Sequence, residues 1–514
     1  MILPRGIWMK ARGIAHILKS RLIAWLGAAL AVLAVAGSGH AQSVLSYHGN
    51  PGRSGNFTMP GLNWEQARRV HLDPGFQPSF SGHVYAQPLY WQPPGSVSGM
   101  LIVATESDTV EAIDARSGKI AWSRNLGRPV ALSALPCGNI DPLGITGTPV
   151  IDQGTQAVYL DAMVAETSGP RHKIFALSLK DGAILPGWPV DVAAALAAQG
   201  RRFNDPDQNQ RGALAILDGR VYVPYGGHFG DCGDYHGWVV GVGLANPADV
   251  VAWSTRAPGG GIWAPGGIAS DGRSLFVATG NTMDARGWSD GEAVFRLAPD
   301  LARSTRPQDY FAPSDWRALD ASDADLGGTN PLPLDMPAAN GAQALILALG
   351  KDARAYLLGR DNLGGIGGSL LSELVATGPI RTAASAYPVA DGVFVAFEGP
   401  GAHCPAPGRG DALTVLKIGT GSPPALATAW CGALSGRGSP VVTTTDGHSD
   451  PIVWMLGAEG DNRLHGFRGD TGEPVFDGGG PGDRMSGLHH FQDLLPAGGR
   501  LYVGADDHLY AFSF

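Results

Sequence analysis

The chain has 514 residues, 75 of them glycine and 38 proline, and only 16% are charged. It carries 37 Lys and Arg against 46 Asp and Glu, a net charge of −9, and five of the basic residues lie within the first 21. No basic tract follows them, which argues against nucleic acid and anionic membrane surfaces as partners.

In chain order, the first predicted element is a leader. Arg5, Lys10, Arg12, Lys19 and Arg21 precede an apolar run from Leu22 to Ala36, and Gly39-His40-Ala41 supplies small residues for cleavage. This predicts a secretory signal peptide over 1–41. It places residues 42–514 in the periplasm or outside the cell, with no membrane span after cleavage. The apolar run is short for a span. All four cysteines (Cys137, Cys232, Cys404 and Cys431) lie in the exported part, where disulfides are permitted. Four cysteines allow three pairings; Cys137–Cys232 with Cys404–Cys431 is the expected one.

Beyond the leader, short runs of aromatic and β-branched residues alternate with Gly, Asp and Asn, which marks an all-β chain. Val192 to Gln199 is the one stretch with helical character. A pattern then repeats: apolar strand, polar turn, second apolar strand, Asp-x-x-(Ser/Thr)-Gly, aromatic. Clear copies are LIVATESDTVEAIDARSGKIAW from 101, ALILALGKDARAYLLGRDNLGGI from 344, IVWMLGAEGDNRLHGFRGDTGEPVF from 452, and LYVGADDHLYAFSF from 501. Weaker copies begin at Val158, Val221, Leu275 and Val393. A period of this length fits four-stranded propeller blades. The last copy ends after its third strand, and the segment RRVHLD (68–73) can supply the fourth. The expectation is an eight-bladed β-propeller closed by an N-terminal strand. Seven blades is the alternative, because the sixth copy is irregular.

The repeat, with the segment 259–360, resembles the quinoprotein propeller superfamily. That group includes dehydrogenases of alcohols and polyvinyl alcohol that depend on pyrroloquinoline quinone (PQQ), and also non-enzymatic relatives. In the quinone-binding members a Gly-Gly-x-x-Trp step supplies the floor beneath the cofactor, and Gly260-Gly261-Ile262-Trp263 matches it. Their Gly-Thr-Gly-Asn strand end holds calcium; here it reads Ala278-Thr279-Gly280-Asn281. Asp325-Leu326-Gly327-Gly328-Thr329-Asn330 is similar to the segment bearing the catalytic Asp, and Lys351-Asp352-Ala353-Arg354-Ala355-Tyr356 to the one whose cation contacts the quinone.

The resemblance thus implies four roles with good physical reasons. Trp263 offers a flat face for a planar cofactor. Asn281 is a hard oxygen ligand for Ca²⁺, and a bound Ca²⁺ polarises the quinone. Asp325 takes the alcohol proton, and Lys351 stabilises charge on the quinone oxygen. The glycines let backbone and ring approach closely.

Arg211 and Arg437 sit at the heads of innermost strands, where they could meet the three carboxylates of PQQ or tie two blades together. The calcium-binding Glu of the family has no clean counterpart; Asp231, Asp234 and Glu166 are the candidates. The adjacent cysteine pair of the alcohol dehydrogenases is missing, and so is a haem domain, so electrons would pass to a separate carrier. Two functions follow: an exported PQQ- and calcium-dependent dehydrogenase of an alcohol, polyol or polymer, or a non-catalytic propeller that binds a protein or glycan.

Overall fold

A computed structural model describes residues 42–337, 343–405, 411–421 and 424–514. The expected leader lies outside the described residues. Eight sheets of four antiparallel strands, two of them extended by a fifth strand in parallel, follow one another along the chain as the blades of a ring. Their second strands begin at Met100, Ala157, Arg220, Leu275, Gln343, Gly392, Ile452 and Arg500, within a residue of the eight repeat copies. The irregular sixth copy is a complete blade (Ser385–Val389, Gly392–Glu398, Asp411–Gly419, Leu426–Ala433). The seven-bladed alternative is therefore excluded.

Blade 8 is closed as its missing strand requires. His71–Leu72 pairs antiparallel with the C-terminal strand His508–Ser513, His71 opposite Ser513 and Leu72 opposite Phe512. Joining the two ends of the chain in one sheet leaves no open edge between first and last blade.

The Asp-x-x-(Ser/Thr)-Gly step is a side-chain-capped turn. In blade 1, Asp114 Oδ1 accepts the backbone N–H groups of Arg116 (3.2 Å) and Ser117 (2.7 Å), and Gly118 takes φ +70°. The aromatic that follows, Trp122, leans onto the next blade and donates its indole N–H to the Leu179 carbonyl at 3.0 Å. Apolar side chains accordingly fill the seams between blades. Leu89, Ile102 and Val110 of blade 1 meet Val158, Leu160 and Phe175 of blade 2 in one buried cluster, and similar clusters fill the following seams up to that between blades 6 and 7. Each fully buried side chain of this kind contributes roughly 1.5–3 kcal/mol, so stability is spread around the ring.

The expected helix forms over Val192–Ala197, capped by Asp191, which accepts from Ala194 N–H at 2.8 Å. Two others, Trp64–Ala67 and Trp316–Ser322, were not signalled by the sequence pattern.

Residues 44–58 cross the central channel. Val44 pairs with Tyr90 of blade 1, Leu45 O accepts from Ile151 of blade 2, and Pro51 O accepts from Ser270 of blade 4. Ser54 O then accepts from Ala386 of blade 6, and Asn56–Thr58 runs parallel to Val442–Thr444 of blade 7. All of these partners lie on innermost strands. Arg53 is 0% exposed and donates to the carbonyls of Ile268 (3.0 Å), Tyr47 (3.1 Å) and Leu214 (2.6 Å). Buried backbone acceptors need such donors, and burial in turn lowers the Arg53 pKa to about 10.

Candidate active site

Strand alternation decides which residues can meet. The connectors into each innermost strand, and the hairpins joining second to third strands, emerge at the same end of the ring. Trp263 lies on the connector into blade 4 and Asn281 follows that blade's second strand, Leu275–Thr279. Asp325 lies on the connector into blade 5 and Lys351 follows its second strand, Gln343–Leu349. Two adjacent blades thus present all four at one rim.

Asp325, 3% exposed, gathers the other three. Its Oδ2 accepts the Trp263 indole N–H at 3.1 Å and the Lys351 ammonium at 2.7 Å. Its Oδ1 accepts the Asn281 backbone N–H at 2.9 Å. The Lys351 Nζ also reaches Asp323 Oδ1 at 2.7 Å and stands 5.2 Å from the centre of the Trp263 ring, within range of a cation–π attraction. Burial disfavours the ammonium, but Asp325 and Asp323 outweigh it and hold the Lys351 pKa above the ordinary lysine value.

Small residues make this approach possible. A Cβ on Gly280 would stand 2.8 Å from Asp325 Oδ1, and one on Gly350 would stand 3.1 Å from the Asp325 carbonyl. The glycines before Trp263 act differently from expectation. Gly260 and Gly261 press on backbone of the neighbouring blade 3 hairpin: a Cβ on Gly237 would meet the Gly260 carbonyl at 2.0 Å, and one on Gly226 would meet Gly261 Cα at 3.1 Å. They join two loops, with Gly259 and Gly260 at φ +81° and +63°.

Behind Asp325 lies a carboxyl that sequence reasoning missed. Glu292 is 0% exposed; its Oε2 accepts the Leu326 N–H at 2.6 Å while Oε1 has no hydrogen-bond partner. Burial first, and the Asp325 charge second, push its pKa well above the usual carboxylate range. The sequence marks it only as a Glu heading the apolar strand Ala293–Leu297, with nothing to tie it to Asp325.

Asp231 accepts the Tyr235 hydroxyl at 2.6 Å, and after burial the charges of Asp325 and Asp323 raise its pKa, which places it within electrostatic reach of the cluster. The side chain of Asp234 is exposed, and its backbone N–H donates to Asp207 at 2.7 Å. Glu166 pairs with Lys173 across its own hairpin. Arg211 reaches from the blade 3 connector to His490 Nε2 (2.9 Å) and lies 4.6 Å from the Phe491 ring centre, both on the connector into blade 8. It spans the channel mouth, and a small cavity remains beneath it, lined by Tyr47, Tyr85, Thr146 and Asp493 among others. Arg437 is exposed, with its backbone N–H bonded to Ala458. Both expected disulfides are present: Cys137–Cys232, tying the blade 3 hairpin to the connector into blade 2, and Cys404–Cys431.

No family model matches the chain. A search of curated proteins likewise finds no match. Solved structures do resemble it. Quinohemoprotein alcohol dehydrogenase from Comamonas testosteroni is 14% identical, with a TM-score of 0.65 over 93% of this chain and 81% of the other. Quinohemoprotein alcohol dehydrogenase ADHIIG from Pseudomonas putida HK5 is 13% identical, with a TM-score of 0.65 over 92% and 80%. A europium-containing methanol dehydrogenase is 12% identical, with a TM-score of 0.62 over 92% and 98%. At such identities the likeness establishes a quinoprotein-like propeller fold, and function rests on the site.

Proposed function

We propose that the chain is an exported PQQ- and calcium-binding dehydrogenase that oxidises an alcohol or polyol and passes electrons to a separate carrier. One observation carries this reading: Asp325 gathers Trp263, Asn281 and Lys351 at the mouth of a quinoprotein-like propeller. The donor set fits the group. Trp263 is a partly exposed indole anchored through its N–H, and Lys351 is a cation beside it. Asn281, Asp325 and Glu292, whose Oε1 is an orphaned buried acceptor, are oxygen ligands of the kind a hard cation takes. When bound, the quinone supplies the two-electron acceptor for the alcohol carbon.

The chain's own residues do the rest. Trp263 orients a flat ring, held by Asp325. Asp325 receives the substrate hydroxyl proton. Lys351, kept charged by two carboxylates, opposes negative charge that develops at the site. Export is supported by the two disulfides; among the described residues no helix is long and apolar enough to cross a membrane.

A second reading, a non-catalytic propeller that binds a protein or glycan at the same rim, is favoured by one feature: residues 44–58 fill the channel and Arg211 crosses its mouth. A PQQ titration read by tryptophan fluorescence, with and without Ca²⁺, separates the two. Calcium-dependent quenching that is lost in Trp263→Ala supports the dehydrogenase. No saturable binding by the unmutated protein overturns it and leaves the scaffold.

A further inference from the structure

A second cluster sits at the same end of the ring, at the seam between blades 8 and 1. Asp506 Oδ1 lies 3.0 Å from His83 Nδ1 and 2.6 Å from His489 Nε2, and the three ligand-type atoms fall within 4.8 Å of one another. His83 enters from the N-terminal side of the chain, and the other two belong to blade 8. We propose that His83, His489 and Asp506 bind one divalent transition-metal ion of the zinc type, with a coordination position open to solvent.

The chemistry of the donors points to this class. Two imidazole nitrogens and one carboxylate oxygen suit Zn²⁺, Cu²⁺, Ni²⁺ or Fe²⁺ and are a poor set for Ca²⁺. Tetrahedral zinc with bonds of ~2.0–2.1 Å holds its ligand atoms roughly 3.3 Å apart. The two contacts to Asp506, at 3.0 and 2.6 Å, therefore need to open by about 0.3 and about 0.7 Å. Three protein ligands leave a vacancy, and the side chains are partly exposed: 41% for His83, 25% for Asp506 and 19% for His489.

A separate observation argues that this is more than a chain of ion pairs. His83 Nδ1 is buried and stands beside Asp506, yet makes no directed hydrogen bond. At 3.0 Å from Asp506 Oδ1 the nitrogen has an ion-pair partner without a well-aligned hydrogen bond, a contact that a metal ion between the two atoms would satisfy better.

The three groups are also held in place. Gly82 donates to Asp507 Oδ1 at 2.8 Å and its carbonyl accepts from Asp507 N–H at 3.1 Å, while the His83 carbonyl accepts from Glu106 N–H at 2.9 Å. The His489 ring stacks on Tyr85 with centroids 4.3 Å apart, and the His489 backbone N–H donates to Gln492 Oε1 at 2.8 Å. Asp506 lies in the tight hairpin between Arg500–Ala505 and His508–Ser513. Ligands fixed by their surroundings require little reorganisation on binding.

The test is calorimetric titration of chelator-stripped protein with Zn²⁺ alone. One equivalent is expected to bind, and to raise the melting temperature. His83→Ala and His489→Gln should each weaken binding by at least about tenfold, since altering groups around a metal ligand alone can do as much. His448→Ala, an exposed histidine on blade 7, should bind as the unmutated chain does. Melting curves without metal show whether each variant is folded. Absence of saturable zinc binding by the unmutated protein overturns the proposal, and so do folded cluster variants that bind as well as it does.

Discussion

The Trp263 indole N–H donates to Asp325 at 3.1 Å across the seam between blades 4 and 5. The carboxylate oxygen that receives it also receives the Lys351 ammonium at 2.7 Å. Removing the charge of Asp325 therefore has two effects. In Asp325→Asn, Lys351 keeps only the exposed Asp323 as its ion-pair partner. Breaking a buried pair from one side costs roughly 3 kcal/mol, and urea melts should show a loss of that order. On the proposed dehydrogenase reading, quinone-dependent turnover should also fall below detection, because Asp325 is the base assigned to the hydroxyl proton.

Arg53 predicts the energetics of the channel segment. Its guanidinium serves three carbonyls with no exposure to water. Arg53→Ala should destabilise the ring by about 3 kcal/mol or more, since each orphaned buried acceptor costs ~1–3 kcal/mol. Arg53→Lys should recover only a part, because an ammonium lacks the planar fork. Chemical denaturation of both variants checks the order.

A pH dependence follows from Asp108. It is 0% exposed, neither carboxylate oxygen has a hydrogen-bond partner, and burial pushes its pKa from 3.8 up to about 9. Between those values the folded chain holds a proton that the unfolded chain has released. Its contribution to stability therefore declines as pH rises through that window and is fully present below it. Asp108→Asn, which tolerates φ +53°, should match the parent near pH 4 and be the more stable of the two at pH 8. Thermal melts across that range measure the difference.

The two disulfides should differ in worth. Cys137–Cys232 spans 95 residues and Cys404–Cys431 spans 27. Chain entropy assigns them about 4–5 and about 3–4 kcal/mol. The paired serine variant of the first should melt below that of the second.

Much of the fold was legible because a propeller repeats one local problem. Asp114 caps its turn, Gly118 bends it and Trp122 covers the seam, and each of these is a short-range demand visible at a fixed period. Ring closure was legible too, since a blade ending at its third strand leaves an edge that RRVHLD is patterned to fill. Trp263, Asn281, Asp325 and Lys351 were readable in another way, through the resemblance of their segments to those of quinone-binding propellers.

Three features had no such signature. Residues 44–58 belong to no repeat, and what makes them a channel filling is contact with the innermost strands of five blades. Glu292 reads as one acid among many until Asp325 lies against it. His83 joins His489 and Asp506 only because the ring brings the two ends of the chain together. Sequence by itself determined the local grammar of strands, turns and seams, because those interactions span few residues. Tertiary structure alone decided which polar groups share a dry space, because burial and charge proximity are properties of the closed ring.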